Sequence, residues 1–124
     1  MFLSTPFVWV DLDIMEKNIV EMMAGLKKYN LKHRPHIKAH KSIEIAKMQL
    51  KAGSTGITCA KISEANVMAQ AGIKDILIAY SIIGQDKIER LGKLMDIADV
   101  KVTVDNMVAA KQLSGLGVRK NMSY

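Results

Sequence analysis

Short β-rich runs alternate along this chain with longer segments in which apolar residues recur every three or four positions. The runs GITCA (56–60), DILIA (75–79) and VKVTV (100–104) are rich in residues that favour strands. The unbroken apolar character of DILIA is expected where both faces of a parallel sheet are covered. The segments between the runs have the period of an amphipathic helix. The pattern predicts repeated strand–helix units, with strand centres near residues 37, 58, 77 and 102.

Capping residues predict where the helices begin and end. Ser and Asn side chains accept N–H groups of a first helical turn, and Glu or Asp is favoured there. Glycine is favoured after a last turn, because it adopts the left-handed backbone conformation found at that position. Helices are therefore predicted from Ser42 to Gly53, from Ser63 to Gly72, from Gly84 onward, and from Asn106 through Leu113.

The N-terminal region predicts one more strand and one more helix. Residues 5–12 (TPFVWVDL) are β-rich, which favours a strand. Asp13, with Glu16 three residues on, resembles a helix N-cap and its acidic partner, so a helix is expected from about residue 14. Its apolar stripe consists of Met15, Ile19, Met22 and Leu26.

This order of elements predicts the fold class. Strands and helices in regular alternation favour right-handed crossovers and a parallel sheet. A complete eightfold barrel of this kind needs about 250 residues, whereas the chain has 124. We expect an α/β fold: a partial (βα)8 TIM-type barrel over residues 1–124, with about four barrel strands, one N-terminal strand and flanking helices.

Composition agrees with a globular domain, since 49% of the residues are hydrophobic and 24% are charged. Cys59 is the only cysteine, which excludes an intramolecular disulfide and a four-cysteine metal site and fits a reducing compartment. The apolar first ten residues have no basic leader and run into Asp11, so neither a signal peptide nor a membrane span is predicted. We expect a cytoplasmic protein with no membrane partner.

The net charge of +6 arises from scattered lysines and only three arginines. No basic run is interleaved with aromatic residues, which is the pattern that favours single-stranded nucleic acid. Bulk charge of this size is compatible with nucleic acid, with an anionic ligand, or with solubility alone. We therefore predict no nucleic-acid partner.

The segment from 34 to 42 (RPHIKAHKS) carries the candidate chemistry. A strand is predicted over about 31–39, followed at once by the helix that Ser42 caps. Active sites of parallel α/β folds lie at the carboxyl ends of the strands, where this segment is expected. Strict alternation would put His36, Lys38 and His40 on one face of the strand and Ile37 and Ala39 on the other.

Lys38 is a candidate amine nucleophile in this setting. An amine nucleophile must be partly neutral near pH 7, and burial or neighbouring positive charge lowers a lysine pKa toward that range. His36 and His40, with Arg34 and Lys41 nearby, would supply such a field and attract an anionic ligand. The alternative is an ordinary solvated lysine at a sheet edge. His36 is open to two roles: orienting the lysine, or packing inside the barrel.

Three segments together resemble a known family: TPFVWVDLD, then RPHIKAHKSIEIAKMQLKAGSTGITCAKISEANVMAQAGIKDILIAYSIIG, then VKVTVDN. They are similar to the N-terminal part of the D-threonine aldolase and D-serine dehydratase group. These are fold-type III enzymes that use pyridoxal 5'-phosphate and are related more distantly to alanine racemase. The resemblance covers roughly residues 5–113, and RPHxKxHK is its most specific part.

The resemblance implies that Lys38 forms the Schiff base to pyridoxal 5'-phosphate, with His36 and His40 as further cofactor-binding residues. It implies a lyase acting on D-amino acids by retro-aldol cleavage or β-elimination. Racemisation starts from the same chemistry, and the sequence does not choose among the three. The implied partner is a small amino-acid substrate.

The resemblance also implies parts that are not in this sequence. Family members continue through the other half of the barrel and then a β-domain that carries divalent-metal ligands, and residues 7–12 would pair with that domain. We therefore expect an N-terminal half-barrel, a truncated product or fragment that lacks the family metal site and is inactive alone. Its alternative role is a half-barrel that self-associates or binds a complementing C-terminal part, because its sheet edges and inner face are open.

Other candidate residues have simpler interpretations. His33 falls on the face opposite His36 and is expected to be structural or exposed. Cys59 lies in a short buried strand, where cysteine is usually a small apolar residue. Asp11 and Asp13 could suggest a cation site, but Asp13 is explained more simply as a helix cap.

Overall fold

The computed structural model describes residues 4–120, in which helices and strands alternate. The helices are α1 (Leu12–Lys28), α2 (Ile43–Lys51), α3 (Ile62–Gln70), α4 (Gln85–Met95) and α5 (Met107–Arg119). The strands are β1 (Ile57–Cys59), β2 (Asp75–Ser81) and β3 (Asp99–Thr103), and a short 3-10 turn occupies Ile37–Ala39. None of the helices in this part of the chain has the length and apolarity needed to cross a membrane.

The three strands form one parallel sheet in the order β1-β2-β3. An isolated parallel bridge between His36 and Thr58 places the segment before the 3-10 turn beside β1, at the sheet's first edge. Parallel strands joined through helices are the arrangement of a TIM-type barrel. The predicted class is confirmed: an α/β fold with a parallel sheet forming part of a barrel.

The two faces of the sheet differ in how far they are covered. Ile57, Ile76 and Ile78 are fully buried beneath the helices. The alternating positions form the opposite face, where the register aligns Thr58 with Leu77 and Leu77 with Lys101. We call this second surface the inner face, and in a complete barrel it would point toward the barrel axis.

The helix boundaries predicted at Ser42, Gly53, Gly72 and Asn106 are confirmed, whereas α3 begins at Ile62 after Lys61 and not at Ser63. The Ser42 hydroxyl accepts the N–H of Ile45, and the Asn106 side-chain oxygen accepts the N–H of Ala109. Gly53 and Gly72 both adopt positive φ angles just after their helices. These boundaries depend on contacts within four residues, so local sequence determines them.

The predicted N-terminal strand is wrong for the described residues, because residues 4–11 form no strand. Val8 and Trp9 are 89% and 78% exposed. A segment of β-rich residues forms a stable strand only when it pairs with another strand. The predicted cap is also wrong: Asp11, not Asp13, accepts the N–H of Ile14 at 3.0 Å. The helix therefore begins at Leu12, two residues before the expected position.

Helix α1 packs loosely at the periphery, since none of its residues is buried. Met15, Ile19 and Leu26 are half-buried, as the predicted stripe required. Met22 is instead 55% exposed, and Met23 is the half-buried member of the stripe. The one-residue shift reflects the helical period of 3.6, which lets either of two neighbouring positions face the core.

Helix α5 is longer than predicted and runs through Gly115 and Gly117 to Arg119. Leu116 is 6% exposed and belongs to the hydrophobic core. A Cβ atom at Gly92 of α4 would lie 3.2 Å from the Leu116 side chain, so the two helices approach closely there. Burial of Leu116 outweighs the low helix propensity of the glycines, about 1 kcal/mol each.

Candidate functional site

The strand predicted over residues 31–39 is wrong: residues 31–35 are in no strand, His36 forms a single bridge, and Ile37–Ala39 form a 3-10 turn. Backbone N–H groups of Thr55 and Thr58 donate to the carbonyls of His33 and Pro35, so residues 33–36 run beside β1. The chain then turns at Ile37, whose carbonyl accepts the N–H groups of His40 and Lys41. Ile37 is fully buried, and its burial ends the pairing of this segment with β1 at His36, two residues before Lys38.

The turn also changes the predicted faces. Ile37 is buried but Ala39, predicted on the same face, is exposed. Lys38 is exposed but His40, predicted on its face, is half-buried. The period-two alternation of a strand therefore fails here. Lys38 nevertheless lies where the segment of residues 33–36 ends, beside the end of β1. This is the carboxyl end of the parallel strands, as expected. Among residues 4–120, no carboxylate forms an ion pair with the Lys38 amine.

His36 contacts the backbone that carries the lysine. Its Nδ1 accepts the Lys38 backbone N–H at 3.2 Å, and the residue is the N-cap of the 3-10 turn. The bridge to Thr58 holds the same residue against β1. His36 is thus both the last sheet-paired residue and the first residue of the turn.

His40 makes the equivalent contact at the other end of the turn. Its Nδ1 accepts the N–H of Ser42, the cap of α2, at 3.1 Å. Burial lowers the pKa of His40, whereas its interactions with Gln49 and the Ser42 backbone act in the opposite direction. Nε2 of His40 and Oε1 of Gln49 are buried but do not reach hydrogen-bonding geometry with each other or with another described residue.

The cations expected to create a positive field around Lys38 are both paired. Arg34 donates two hydrogen bonds to Asp75, at 2.6 and 3.0 Å. Lys41 lies 3.0 Å from Oε1 of Glu64, and Oε2 of the same carboxylate accepts the N–H of Ala60. The field predicted from Arg34 and Lys41 is therefore largely neutralised.

A charged network that was not predicted from the sequence lies at the amino end of the sheet. Asp75, at the start of β2, binds Lys101 at 2.7 Å in addition to Arg34. Lys101 also lies 2.5 Å from Asp99, at the start of β3. The hydrogen bond from Arg34, together with the cation at Lys101, lowers the pKa of Asp75 to about 2, and the same contact raises the pKa of Arg34. Acidic residues directly before two β-rich runs were the available signal.

We expect D75N to destabilise the protein in a pH-dependent way. The depressed pKa of Asp75 means that its stabilising effect is complete above its ordinary pKa of 3.8 and disappears as pH falls through about 2. Because the side chain is 34% exposed, solvent screening reduces the expected loss at pH 7 to about 1 kcal/mol. Urea unfolding at pH 7 and near pH 2 measures this, and the difference between wild type and D75N should shrink at the lower pH.

D13N is the matched control, because Asp13 lies on exposed α1 and forms no ion pair with the described residues. Its effect should be small at both pH values. A D75N penalty that is unchanged near pH 2 would show that the carboxylate charge is not what stabilises this end of the sheet.

A cavity of about 630 Å³ lies between α1 and the segment that precedes Lys38. His33, His36 and His40 all line it, although alternation placed His33 opposite His36. The His33 ring contacts the Ser54 hydroxyl at 3.0 Å, which agrees with the structural role expected for it. The cavity therefore brings together three imidazoles, and α1 forms its apolar wall.

The remaining candidates have structural roles. Cys59 is fully buried, and burial raises the pKa of its thiol to about 12, so it is a small apolar residue as expected. Asp11 caps α1. Residues 4–120 contain no cluster of three His, Cys, Asp or Glu side chains that could hold a metal ion.

The model of the family described as "Alanine racemase, N-terminal domain" matches residues 10–123. The chain is also 41% identical over 111 residues to a D-threonine aldolase of an Arthrobacter species, an alignment that covers 90% of this chain. A D-threo-3-hydroxyaspartate dehydratase of Delftia sp. strain HT23 is 35% identical over 122 residues, or 98% of this chain.

Structure comparison gives the same result. The crystal structure of D-threonine aldolase from Filomicrobium marinum superposes with a TM-score of 0.91 and 37% identity, over 97% of this chain. In each comparison the chain spans only about a third of the relative: 29% of the Arthrobacter protein, 32% of the Delftia protein and 32% of the Filomicrobium chain.

Proposed function

This chain belongs to the family of the alanine racemase N-terminal domain, and from that membership we propose that it supplies the lysine-bearing part of a pyridoxal-phosphate enzyme acting on D-amino acids. The observation that carries the proposal is the position of Lys38. Lys38 lies at the carboxyl end of the parallel strands, and it is exposed and without a carboxylate partner among the described residues.

The residues around Lys38 fit such a cofactor. An unpaired primary amine is the group that forms a Schiff base with an aldehyde, and a carboxylate beside it would favour its unreactive charged form. His36 has Nδ1 engaged by the backbone, which leaves Nε2 available to donate toward a ligand. Members of this family are pyridoxal-phosphate enzymes. When bound, the cofactor supplies an electron sink for charge that develops at the substrate α-carbon.

This chain's own residues would then do three things. Lys38 would bind the aldehyde through Nζ with loss of water, and while its amine is free it would accept or return a proton at Nζ. His36 and His40 would act at the two ends of the turn that carries it, since each contacts the turn backbone. Ile37 would fix the turn by its burial beneath the helices.

We further propose a substrate class: D-amino acids with a hydroxyl on the β-carbon. Five of the matching proteins are named for compounds that share that feature: D-threonine, 3-hydroxy-D-aspartate, D-threo-3-hydroxyaspartate and D-serine. Aldol cleavage and dehydration both need the β-hydroxyl, whereas racemisation does not. The racemase alternative has weaker support, since the matching alanine racemase is 25% identical over 92 residues.

A complete site would require more strands than the described residues supply. They form three strands and one bridged segment, and a closed barrel has eight. The remaining strands would come from elsewhere in the same protein, from a complementing chain, or from another copy.

Titration with pyridoxal phosphate, followed by borohydride reduction and peptide mapping, tests whether Lys38 captures the cofactor.

A second candidate function is self-association through the open side of the half-barrel. Strand β3 pairs only with β2 among the described residues, so its outer edge has unpaired backbone groups. Val104, Met107 and Val108 follow that edge and are 51% to 69% exposed. An exposed edge next to apolar residues favours pairing with a second copy.

Light scattering at high protein concentration should therefore detect a dimer or larger species. V104K places a charge beside the edge and should shift the population toward monomer, because charged residues at a sheet edge oppose pairing. V67K is the matched control, since Val67 is 50% exposed on α3, away from that edge. A wild-type chain that stays monomeric would contradict this function.

A further inference from the structure

The two histidines that flank Lys38 have matching hydrogen bonds, although their rings are in different environments. In each, Nδ1 accepts the backbone N–H of the residue two positions later: Lys38 for His36, and Ser42 for His40. The two contacts bracket the turn of residues 37–41, in which Lys41 adopts a φ of 52°. A positive φ is unfavourable for lysine, so tertiary contacts must hold the turn.

From this geometry we propose that His36 and His40 are positioning residues for Lys38, each acting as a neutral imidazole whose Nδ1 fixes one end of the turn. The proposal rests on the proposed function for the role of Lys38, but the hydrogen bonds themselves do not. It replaces the interpretation of these rings as sources of positive charge.

The donors determine the tautomer of each ring. A backbone N–H can only donate, so the nitrogen that accepts it carries no proton, and the proton of the neutral ring lies on Nε2. Protonation of either ring would place two N–H groups against each other and remove the contact. A cationic imidazole therefore cannot hold the turn in this conformation.

The surroundings favour the neutral forms. Asp11, at the start of α1, and His33 are the other titratable groups lining the cavity that the two rings share. The side chains that α1 and α2 contribute to its wall are uncharged. No described carboxylate forms an ion pair with either ring, so no anionic partner stabilises their charged form.

Two pairs of variants separate positioning from simple packing. An Asn side chain accepts the N–H two residues later, as in an Asx-turn. Phe keeps a planar ring but has no acceptor. We expect H36N and H40N to retain the turn, and H36F and H40F to lose it.

The first measurement is nitrogen-15 NMR of the histidine rings in the wild-type 124-residue chain. Both His36 and His40 should be neutral near pH 7.5, with the proton on Nε2. A proton on Nδ1 of either ring would overturn the proposal. Because this measurement needs no variant, it stays decisive if a Phe variant does not fold.

The second measurement is the share of borohydride-trapped pyridoxal phosphate found at Lys38, relative to the other lysines. This share should fall at least about fivefold in H36F, which has no acceptor for the Lys38 N–H, and by less than about twofold in H36N, which keeps one. Equal loss in H36F and H36N would overturn the positioning role.

The two proposals can fail separately. If wild-type Lys38 captures no more cofactor than the other lysines, the proposed function fails in this chain. The positioning role would still be supported by slow amide hydrogen exchange at Lys38 and Ser42, provided that the Asn variants keep this slow exchange and the Phe variants lose it. Fast exchange at both amides in wild type would overturn it.

Discussion

Replacing Lys38 by Ala is expected to abolish Schiff-base capture of pyridoxal phosphate by this chain. The wild type should develop a saturable visible absorbance band, because the exposed Lys38 amine has no carboxylate partner in the described region. In K38A that band should fall at least about tenfold, to the level given by random reaction with surface lysines. K38R should lose it equally, because a guanidinium keeps the charge but forms no stable Schiff base.

Lys61 provides the control, since it is also exposed at the carboxyl end of the strands, just before α3. K61A should bind the cofactor like wild type. Peptide mapping after borohydride reduction should place the wild-type label on Lys38. Equal absorbance from wild type, K38A and K61A would refute cofactor capture by this chain.

Replacing Gly56 by Ala is expected to cause a large loss of stability. A Cβ atom at this position would collide with the Arg34 guanidinium and would lie 2.5 Å from the carbonyl oxygen of Asp75. The backbone of β2 cannot move away without breaking the sheet, and the Arg34–Asp75 pair would be displaced as well. We expect a loss of about 3 kcal/mol in the free energy of unfolding, measured by urea denaturation.

Gly115→Ala is the matched control for this change. Gly115 lies in α5 and has no neighbouring atom within 4 Å of an added Cβ. Alanine is the better helix former, so G115A should be neutral or stabilising by up to about 1 kcal/mol. If G56A were as stable as G115A, Arg34 and Asp75 would not approach Gly56 as closely as described.

Much of the fold was predictable because it depends on local signals. Ser42 and Asn106 cap their helices through contacts three residues away. The apolar runs at β1, β2 and β3 identified the strands and their parallel arrangement. The alternation of these elements was sufficient to predict part of a TIM-type barrel.

The errors lie where an element depends on a distant partner. Residues 5–12 have strand propensity, but no strand pairs with them in the described part of the chain. Helix α5 continues past its glycines because Leu116 packs into the core, which the local propensity does not register. In both cases contacts with distant residues decide the outcome and local propensity does not: α5 gains such contacts, and residues 5–12 lack them in the described part of the chain.

The candidate site likewise has features that could be predicted from the sequence and features that depend on distant partners. Lys38 could be singled out as a candidate from its own segment, and its place at the carboxyl end of the strands follows from the order of elements. The pairing of Arg34 with Asp75, 41 residues away, could not be deduced from spacing. Nor could the contacts of His36 and His40, because alternation assumed a strand where the burial of Ile37 imposes a turn.

The sequence by itself therefore determined the alternation of helices and strands, the helix caps at Ser42 and Asn106, and the fold class, since each is encoded in periodicity or in contacts within a few residues. Only the tertiary structure decided where pairing with β1 ends before Lys38, which cations are neutralised and which nitrogen of each histidine faces the backbone. Those features depend on which distant groups meet when the core packs, and burial of side chains such as Ile37 and Leu116 decides that.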